Sequence, residues 1–429
     1  MRILSTWLGL FTITCLFGCN GDAKQEMPRR VQANEKPPQI GPNVLPVQPV
    51  QAKAQVKAQA KAQVPAPRAP SGDPYDDNWR QYMYDVNNNP ELQRLAKKAD
   101  EAIQQLKIID PELDCRDFGP SQLTIEIYNP RHLDADGRIR PDFLKLLRLA
   151  GVTQLTIGIP LSDKGMAQLD SLRCLARLWL GNAGLVVTDK GIGELKNLTG
   201  LTGIDITGPK KEPLTISGEG FQNLAGLSKL REINLRGVRV DDLGIAAISK
   251  IESIVILTLE GDAITDAGIS QLGNLSNLMS LGLQGHKITG TGFKSVRPLL
   301  KLTGMYLYGC PINISGIKDI VSAAPNLDFI GFTSAEVADD SIPILASLRG
   351  LHFLRLGNAT LTEKSFDQLC HFAELDSLDI SNATIPEKGL EMLIAAPKLK
   401  RLFIKSKQFK PELIENYRKA RPKVELSID

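Results

Sequence analysis

The chain has 429 residues, and its 51 basic and 48 acidic side chains leave a formal net charge of +3 at pH 7. So small a charge excludes the strong overall field by which proteins attract nucleic acids or anionic surfaces. Roughly 300 residues carry a regular apolar pattern, which is enough for one continuous core. Fold and function must therefore be read from that pattern and from the residues ahead of it.

The first residues have the composition of an export signal. Arg2 is the only basic residue ahead of Ile3–Phe17, an apolar segment that is short for a membrane span. The sequence Leu-Phe-Gly-Cys at positions 16–19 resembles the lipobox of bacterial lipoproteins. That resemblance implies that residues 1–18 are a cleaved signal peptide and that Cys19 is acylated, with palmitate as an expected chain. An ordinary cleaved signal and an uncleaved anchor are the alternatives.

Residues 19–75 are predicted to be a disordered tether. They are rich in proline, alanine, glutamine and lysine, and they hold too little apolar content for a core. Such a tether holds a folded domain off a membrane, and its basic charge could contact anionic lipid or cell-wall polymer. A solubilising spacer is the simpler interpretation. Asn20, rather than aspartate, follows the lipidated cysteine, which by the same resemblance favours the outer membrane of a Gram-negative cell.

Residues 76–120 are predicted to form a helical cap on the N-terminal end of the folded domain. The sequence Asn-Asn-Pro-Glu at positions 88–91 is typical of a helix start. A stack of repeats is open at its end, and terminal units need a cover. The apolar face of this helix is expected to contain Leu92, Leu95, Ala96, Ala99, Ile103 and Leu106.

The most regular feature of the chain is an apolar repeat with a period of 24 or 25 residues between positions 254 and 399. In each unit an alternating Leu-x-Leu predicts a short strand, and apolar residues spaced by three then predict one face of a helix. Thr265 or Asp266 suits the first position of such a helix. Stacking buries the apolar sides that single units leave open. The units begin near Gln122, Val152, Leu175, Leu201, Leu230, Ile254, Leu278, Leu302, Leu327, Leu351, Leu375 and Leu399.

The pattern L-x-x-L-x-L followed by I-T-D-x-G-L-x-x-L resembles the helix-backed subclass of leucine-rich repeats, which occurs in ribonuclease-inhibitor-like and F-box-type arrays. The resemblance covers residues 121–429. It implies an α/β fold, a right-handed solenoid or horseshoe of about 11–12 repeats. A parallel β-sheet is expected on its concave face and helices on its convex face. This fold by itself specifies no function.

Residues between the inward leucines should point out of the concave face, because side chains of a strand alternate. Aromatic residues and arginine from three consecutive units are predicted to cluster there as a protein-binding patch. Gly282, Gly304 and Gly331 are expected to leave room beside them. The alternative is that the rings only pack on one another along the sheet. The candidate contact residues are Tyr306, Tyr308, Phe329, Phe353 and Arg355.

No catalytic residue, metal site or cofactor is predicted. The sequence has no nucleophile elbow, no phosphate-binding loop and no C-x-x-C pair, and no small-molecule substrate or nucleic-acid partner is expected. Cys115 and Cys174 fall near the same end of the array. A disulfide between them stays open as an alternative to buried thiols.

These observations favour a membrane-tethered, non-enzymatic protein of a bacterial cell envelope, with its array in the periplasm or on the cell surface. We expect it to bind another protein through the concave face. One alternative is a carbohydrate or cell-wall binder with Trp179, Tyr306 and Phe353 as stacking platforms. The other alternative is a passive structural spacer of the envelope.

Overall fold

The computed structural model describes residues 90–117, 123–181, 185–209, 213–285 and 287–428. The predicted signal peptide, Cys19, the tether and residues 76–89 of the predicted cap lie outside the described residues. Across the described ranges, fourteen strands form one sheet in which every strand pairs with its neighbours in the chain. The strands are β1 (Asp114–Asp117), β2 (Leu123–Ile127), β3 (Gln154–Ile157), β4 (Arg177–Gly181), β5 (Gly203–Thr207), β6 (Glu232–Arg236), β7 (Ile256–Glu260), β8 (Ser280–Gln284), β9 (Gly304–Tyr308), β10 (Phe329–Phe332), β11 (Phe353–Leu356), β12 (Ser377–Asp379), β13 (Arg401–Ile404) and β14 (Glu425–Ile428).

Strands β2 to β14 are parallel, and equivalent positions of successive repeats lie opposite one another. Leu257, for example, pairs with Leu281, which in turn pairs with Met305. Twelve of these strands, β2 to β13, follow the twelve predicted unit starts directly. The predicted α/β leucine-rich-repeat solenoid is therefore confirmed, and β14 adds a closing strand.

Short helices connect successive strands. The α-helices are α1 (Pro90–Ile109), α2 (Pro141–Ala150), α3 (Asp163–Gln168), α4 (Asp189–Gly193), α5 (Asp242–Ile248), α6 (Asp266–Ile269), α7 (Ile314–Ala323), α8 (Ile342–Ala346), α9 (Glu363–Leu369), α10 (Lys388–Met392) and α11 (Pro411–Ala420). The 3-10 helices are Pro130–His132, Leu169–Ser171, Glu194–Asn197, Glu219–Leu224, Ser270–Asn274, Thr291–Ser295, Asp339–Ser341, Leu393–Ala395 and Ser406–Gln408.

The core lies between the sheet and these helices. In the unit that contains β7, Leu257 and Leu259 of the strand and Ile269 and Leu272 of the helical segment are all fully buried. The residues between them on the strand, such as Thr258, are only partly buried. They line the other side of the sheet, which we call the open face.

Aspartates at the starts of the helices connect neighbouring repeats. Asp266 follows Thr265, whose hydroxyl caps helix α6 by accepting a hydrogen bond from the backbone of Ala267. The carboxylate of Asp266 reaches the next repeat, where it accepts hydrogen bonds from the backbone and hydroxyl of Thr289 at 3.1 and 2.6 Å. The backbone of Gly290 donates to the same carboxylate at 3.0 Å. Equivalent bonds join Asp163 to Thr188, Asp189 to Ser217, Asp242 to Thr265 and Asp339 to Thr362.

The N-terminal end of the array differs in part from the prediction. Helix α1 forms within the predicted cap, and Ala99, Ile103 and Leu106 of its apolar face are buried where it packs against α2. However, Asp114–Asp117 forms strand β1, which is antiparallel to β2. The sequence pattern did not predict this strand because three of its four residues are charged, which leaves Cys115 as its one apolar residue. The sheet is therefore parallel apart from its first strand.

The described cysteines are thiols: Cys115, Cys174, Cys310 and Cys370. The Cys115–Cys174 disulfide that the sequence left open is therefore not formed. Among the described residues, no helix combines the length and the apolar character that crossing a membrane requires.

Candidate functional site

The five predicted contact residues lie on three neighbouring strands of the open face. Strand β9 carries two of them, β10 carries one and β11 carries two. The strand register places Phe329 opposite Phe353, and it places Gly331 between Tyr306 and Arg355. The residues are Tyr306, Tyr308, Phe329, Phe353 and Arg355.

Their rings form a continuous stripe across the strands. The ring centroid of Tyr306 lies 4.0 Å from that of Phe329 and 6.0 Å from that of Tyr308, whose ring is parallel to it within 2°. Phe329 meets Phe353 edge to face at 4.8 Å. Phe353 is in turn 6.1 Å from Phe403 on β13. We call these five aromatic residues the aromatic stripe: Tyr306, Tyr308, Phe329, Phe353 and Phe403.

The members of the aromatic stripe differ in exposure. Phe329 is only 5% exposed, whereas Tyr306, Tyr308 and Phe353 are partly buried and keep accessible surface. A Cβ at Gly331 would come within 3.0 Å of the Phe329 ring. The Phe329 ring therefore fills the space over Gly331 and packs against the rings of Tyr306 and Phe353. The exposure expected of a direct contact residue is absent at Phe329.

The other two glycines of the prediction also differ from one another. A Cβ at Gly304 would have its nearest neighbour at 3.8 Å, so there is open space beside this residue. A Cβ at Gly282 would lie 3.3 Å from the side chain of Thr258, which occupies that position. Room beside the aromatic stripe is thus confirmed at Gly304 but not at Gly282.

Arg355 is held in place by a neighbouring strand. Its Nε lies 2.9 Å from Oδ2 of Asp379, and the side chains of the two residues are 29% and 9% exposed. The other carboxylate oxygen of Asp379 accepts bonds from the backbone and hydroxyl of Ser381 at 3.0 and 2.7 Å. Because a guanidinium has five donors, this ion pair orients Arg355 and leaves other N–H groups for a partner.

A second group of polar side chains lies on the open face of β4, β5 and β6. The guanidinium of Arg177 forms an ion pair with Glu232 across the intervening strand. On the way it covers Gly203, where a Cβ would come within 3.2 Å of Arg177 Nε. The side-chain amide of Asn234 donates to Asp205 at 2.7 Å and to Glu232 at 2.8 Å. We call Arg177, Asp205, Glu232 and Asn234 the polar cluster.

The polar cluster is incompletely satisfied. Burial raises the pKa of Asp205 to about 6 against the opposing effect of the Asn234 hydrogen bond, and the nearby charge of Glu232 adds to the rise. Arg177 and Arg236 act in the opposite direction. Within the described ranges, three buried atoms of the cluster have no hydrogen-bond partner: Oδ2 of Asp205, Oδ1 of Asn234 and Nε of Arg177. An unsatisfied buried polar group costs on the order of 1–3 kcal/mol.

The polar cluster was not predicted from the sequence. Its members come from three successive strands whose paired positions are offset by 26 and then 29 residues, so the period is irregular in this part of the chain. A signal was nevertheless present, because Arg177 and Glu232 occupy the same position of the strand two units apart. Opposite charges at such positions can meet across a narrow strand when glycine lies between them, as Gly203 does here.

The described residues contain no group of three or more histidine, cysteine or acidic side chains arranged to hold a metal ion. His132 is 3% exposed and its Nε2 lies 2.6 Å from Oδ2 of Asp110. The His132 ring stacks on Phe143 with the centroids 4.0 Å apart. Arg131 bonds the other oxygen of Asp110 at 2.6 Å. This histidine therefore connects the end of α1 to the first repeat.

No family model and no curated protein sequence matches this chain. Among solved structures, an internalin from Listeria monocytogenes is 18% identical, covering 72% of this chain and 96% of its own, with a TM-score of 0.41. Rad7 in its complex with Elc1 from yeast is 17% identical, covering 66% and 77%, with a TM-score of 0.44. The leucine-rich-repeat ectodomain of the receptor kinase GASSHO1/SCHENGEN3 from Arabidopsis thaliana is 17% identical, covering 62% and 34%, with a TM-score of 0.38. At these low values the fold assignment rests on the strand register and the core described above.

Proposed function

We propose that this chain is a membrane-tethered, non-enzymatic leucine-rich-repeat protein that binds another protein through the open face of its sheet. The observation that carries the proposal is the aromatic stripe, in which the partly exposed Tyr306 and Phe353 pack on the buried Phe329 and Tyr308 stacks on Tyr306. Aromatic side chains are enriched among the residues that contribute most to protein interfaces.

The packing of the stripe favours binding because it lowers the entropic cost of contact. Phe329 touches the rings on both sides, and Arg355 is oriented by Asp379. Side chains that are already ordered lose little rotamer freedom when a partner arrives. The open space beside Gly304 gives an incoming side chain a place next to Tyr306.

The proposed anchor is the acylated Cys19, and the proposed location is a bacterial cell envelope, with the outer membrane favoured in a Gram-negative cell. Metabolic labelling of the full-length chain with an alkyne analogue of palmitate tests it. We expect labelling of the parent and none of a Cys19→Ser variant. Equal labelling of both would reject the anchor without affecting the proposed binding face.

The binding proposal is tested by chemical crosslinking and capture of the tagged full-length chain from cells of its source. The test variant is Tyr306→Ala with Phe353→Ala. The matched control is Leu243→Ala with Leu300→Ala, which removes apolar side chains that are 64% and 62% exposed and lie outside the sheet. We expect a captured protein to be retained by the parent and the control, and lost from the test variant. Identical capture by all three would refute a role for the stripe.

Carbohydrate binding is the second candidate, and one observation favours it. The rings of Tyr306 and Tyr308 are parallel within 2°, and the accessible face of an aromatic ring is a surface on which a sugar ring can pack. A glycan array probed with the parent and the Tyr306→Ala, Phe353→Ala variant separates the two candidates. Saccharide binding that the variant loses, without capture of any protein, would favour this candidate. If neither a protein nor a glycan binds, a passive structural spacer of the envelope is the remaining candidate function.

A further inference from the structure

We infer that the polar cluster and the neighbouring Trp179 form a second binding site on the open face, which takes a lysine or arginine side chain of a protein partner. The inference rests on the proposed function, because it assumes that a protein docks on this face, and it specifies the chemistry of that partner. The Arg177 guanidinium carbon lies 5.2 Å from the centroid of the Trp179 ring, so the cluster and the indole are in contact.

The unpartnered atoms are concentrated at this place. Among the buried side-chain atoms that lack a hydrogen-bond partner in the described part of the chain, three belong to the polar cluster. Asn234 is only 8% exposed, and both of its known bonds use the amide nitrogen, so its oxygen is left over. Oδ2 of Asp205 is left over in the same way. Both oxygens accept hydrogen bonds, so a ligand for them must donate.

The charges of the cluster indicate that the donor is a cation. Arg177 is the guanidinium that pairs with an acid here, and it pairs with Glu232. Among the described residues, Asp205 has an amide as its hydrogen-bond partner and no ion pair within 4 Å. An ammonium or guanidinium supplies the missing donors and the missing charge together, and charge-assisted bonds are the stronger kind.

The third unpartnered atom favours a peptide as the source of that cation. Nε of Arg177 is a donor and needs an acceptor. A peptide segment that brings a basic side chain also brings backbone carbonyl oxygens, so one ligand can satisfy all three atoms. The hydroxyl groups of a saccharide can both donate and accept hydrogen bonds, but a neutral saccharide brings no positive charge to Asp205.

Entry to the site involves the Arg177–Glu232 ion pair. The three unpartnered atoms have almost no accessible surface of their own, whereas the side chains of Arg177 and Glu232 are 23% and 15% exposed. A partner therefore reaches these atoms only where a neighbouring side chain of the cluster moves. When the Arg177 side chain moves aside, an incoming basic group can reach Oδ2 of Asp205 and Oδ1 of Asn234, and the displaced guanidinium still has the Trp179 ring beside it.

The experiment uses the full-length chain labelled with 15N and follows its tryptophan indole N–H signals by NMR. The chain has three tryptophans, and a Trp179→Phe variant assigns the relevant signal. The probes are the capped tripeptides Gly-Arg-Gly, Gly-Lys-Gly and Gly-Gln-Gly, and N-acetylglucosamine. The test variant is Asp205→Asn. The matched control is Glu260→Gln, which removes the same charge from the adjoining strand β7.

We expect the arginine and lysine peptides to shift the Trp179 signal and the glutamine peptide to leave it unchanged. The dissociation constant should rise at least about tenfold in Asp205→Asn and change less than about twofold in Glu260→Gln. Binding should also weaken between about pH 7.5 and pH 5, because Asp205 takes up a proton there while Glu232, Arg177 and Arg236 surround it.

Three results would overturn the inference. A shift caused equally by the glutamine peptide would show that charge is not recognised. A shift caused by the saccharide alone would assign the site to a different class of ligand. No shift with any probe, in a parent that is folded, would show that water satisfies the three atoms. None of these results depends on Tyr306 or Phe353, so failure here is distinguishable from failure of the aromatic stripe.

Discussion

The bonds that Asp266 makes to the next repeat predict a large loss of stability in an Asp266→Asn variant. One carboxylate oxygen accepts from the backbone of Gly290 and of Gly292, each at 3.0 Å. The other accepts from the backbone and hydroxyl of Thr289 and from the hydroxyl of Thr291. All five donors belong to the following unit, so the residue links two units through a single side chain.

The size of the effect follows from the number of donors left without an acceptor. An asparagine side chain has the same shape but keeps one oxygen, and its NH2 group then faces either two or three donors. Bonds to a charged acceptor contribute about 1.5–3 kcal/mol each. Because the residue is only partly buried, water compensates some of the loss. We expect the variant to lose roughly 2–4 kcal/mol of unfolding free energy.

Urea denaturation of the full-length chain, followed by circular dichroism across a range of pH, measures this effect. Burial alone raises the pKa of Asp266, but the hydrogen bonds from Thr289, Gly292 and Thr291 outweigh burial and hold the pKa below 3.8. The bonded carboxylate therefore stabilises the fold above its unfolded-state pKa. That stabilisation is lost as the pH falls through the lower folded-state pKa. The parent should lose more stability than the variant below about pH 4.

An exposed aspartate, Asp367, provides the control. Its change to asparagine should alter the unfolding free energy by less than about 0.5 kcal/mol. An Asp266→Asn variant that unfolds within the same margin of the parent, with an unchanged denaturant slope, would refute the reasoning. It would mean that the bonds between repeats only replace equally good bonds to water.

Three further predictions concern buried groups. Asp205→Asn should raise the unfolding free energy at pH 7 by about 1–3 kcal/mol, because a folded-state pKa of about 6 makes the stability of the parent fall as the pH rises through that value. Denaturation at both pH values should show a larger gain of the variant over the parent at pH 7 than at pH 4. Phe329→Ala should lower the unfolding free energy by about 3–5 kcal/mol, and the change at the more exposed Phe353 to alanine should lower it clearly less. Equal denaturation midpoints of the two variants would contradict the supporting role of Phe329. Cys310, whose pKa burial raises to about 12, should resist alkylation at pH 8 in the native protein and react after unfolding, as measured by mass spectrometry.

The strand register could be predicted from the sequence because it depends on apolar identity at a fixed interval. Each strand buries two alternate residues, so Leu257 and Leu281 had to lie at equivalent positions once the repeat was recognised. The side chains between the buried residues point to the other side of the sheet, so the pattern also predicts that Tyr306 and Phe353 lie on the open face. The helix of the N-terminal cap was predicted by the same kind of reasoning.

Side-chain conformation could not be predicted in this way. Whether Phe329 stands out from the sheet or lies down over Gly331 depends on ring rotation and on the space that the glycine leaves. The polar cluster depends on Arg177 reaching across β5, and strand positions alone do not specify that reach. Strand β1 was not predicted for a different reason, since three of its four residues are charged and give no apolar alternation.

The aromatic stripe and the polar cluster lie on one sheet, and their separation constrains the partner that we propose. Asp205 on β5 and Tyr306 on β9 are four strand spacings apart, which is about 19 Å. Thr258 and Gly282 lie between them, and neither carries a bulky side chain. A single partner can therefore contact both places if it crosses the strands. In that case Asp205→Asn and Tyr306→Ala should each weaken capture of the same protein, whereas two independent ligands should each be lost from only one variant.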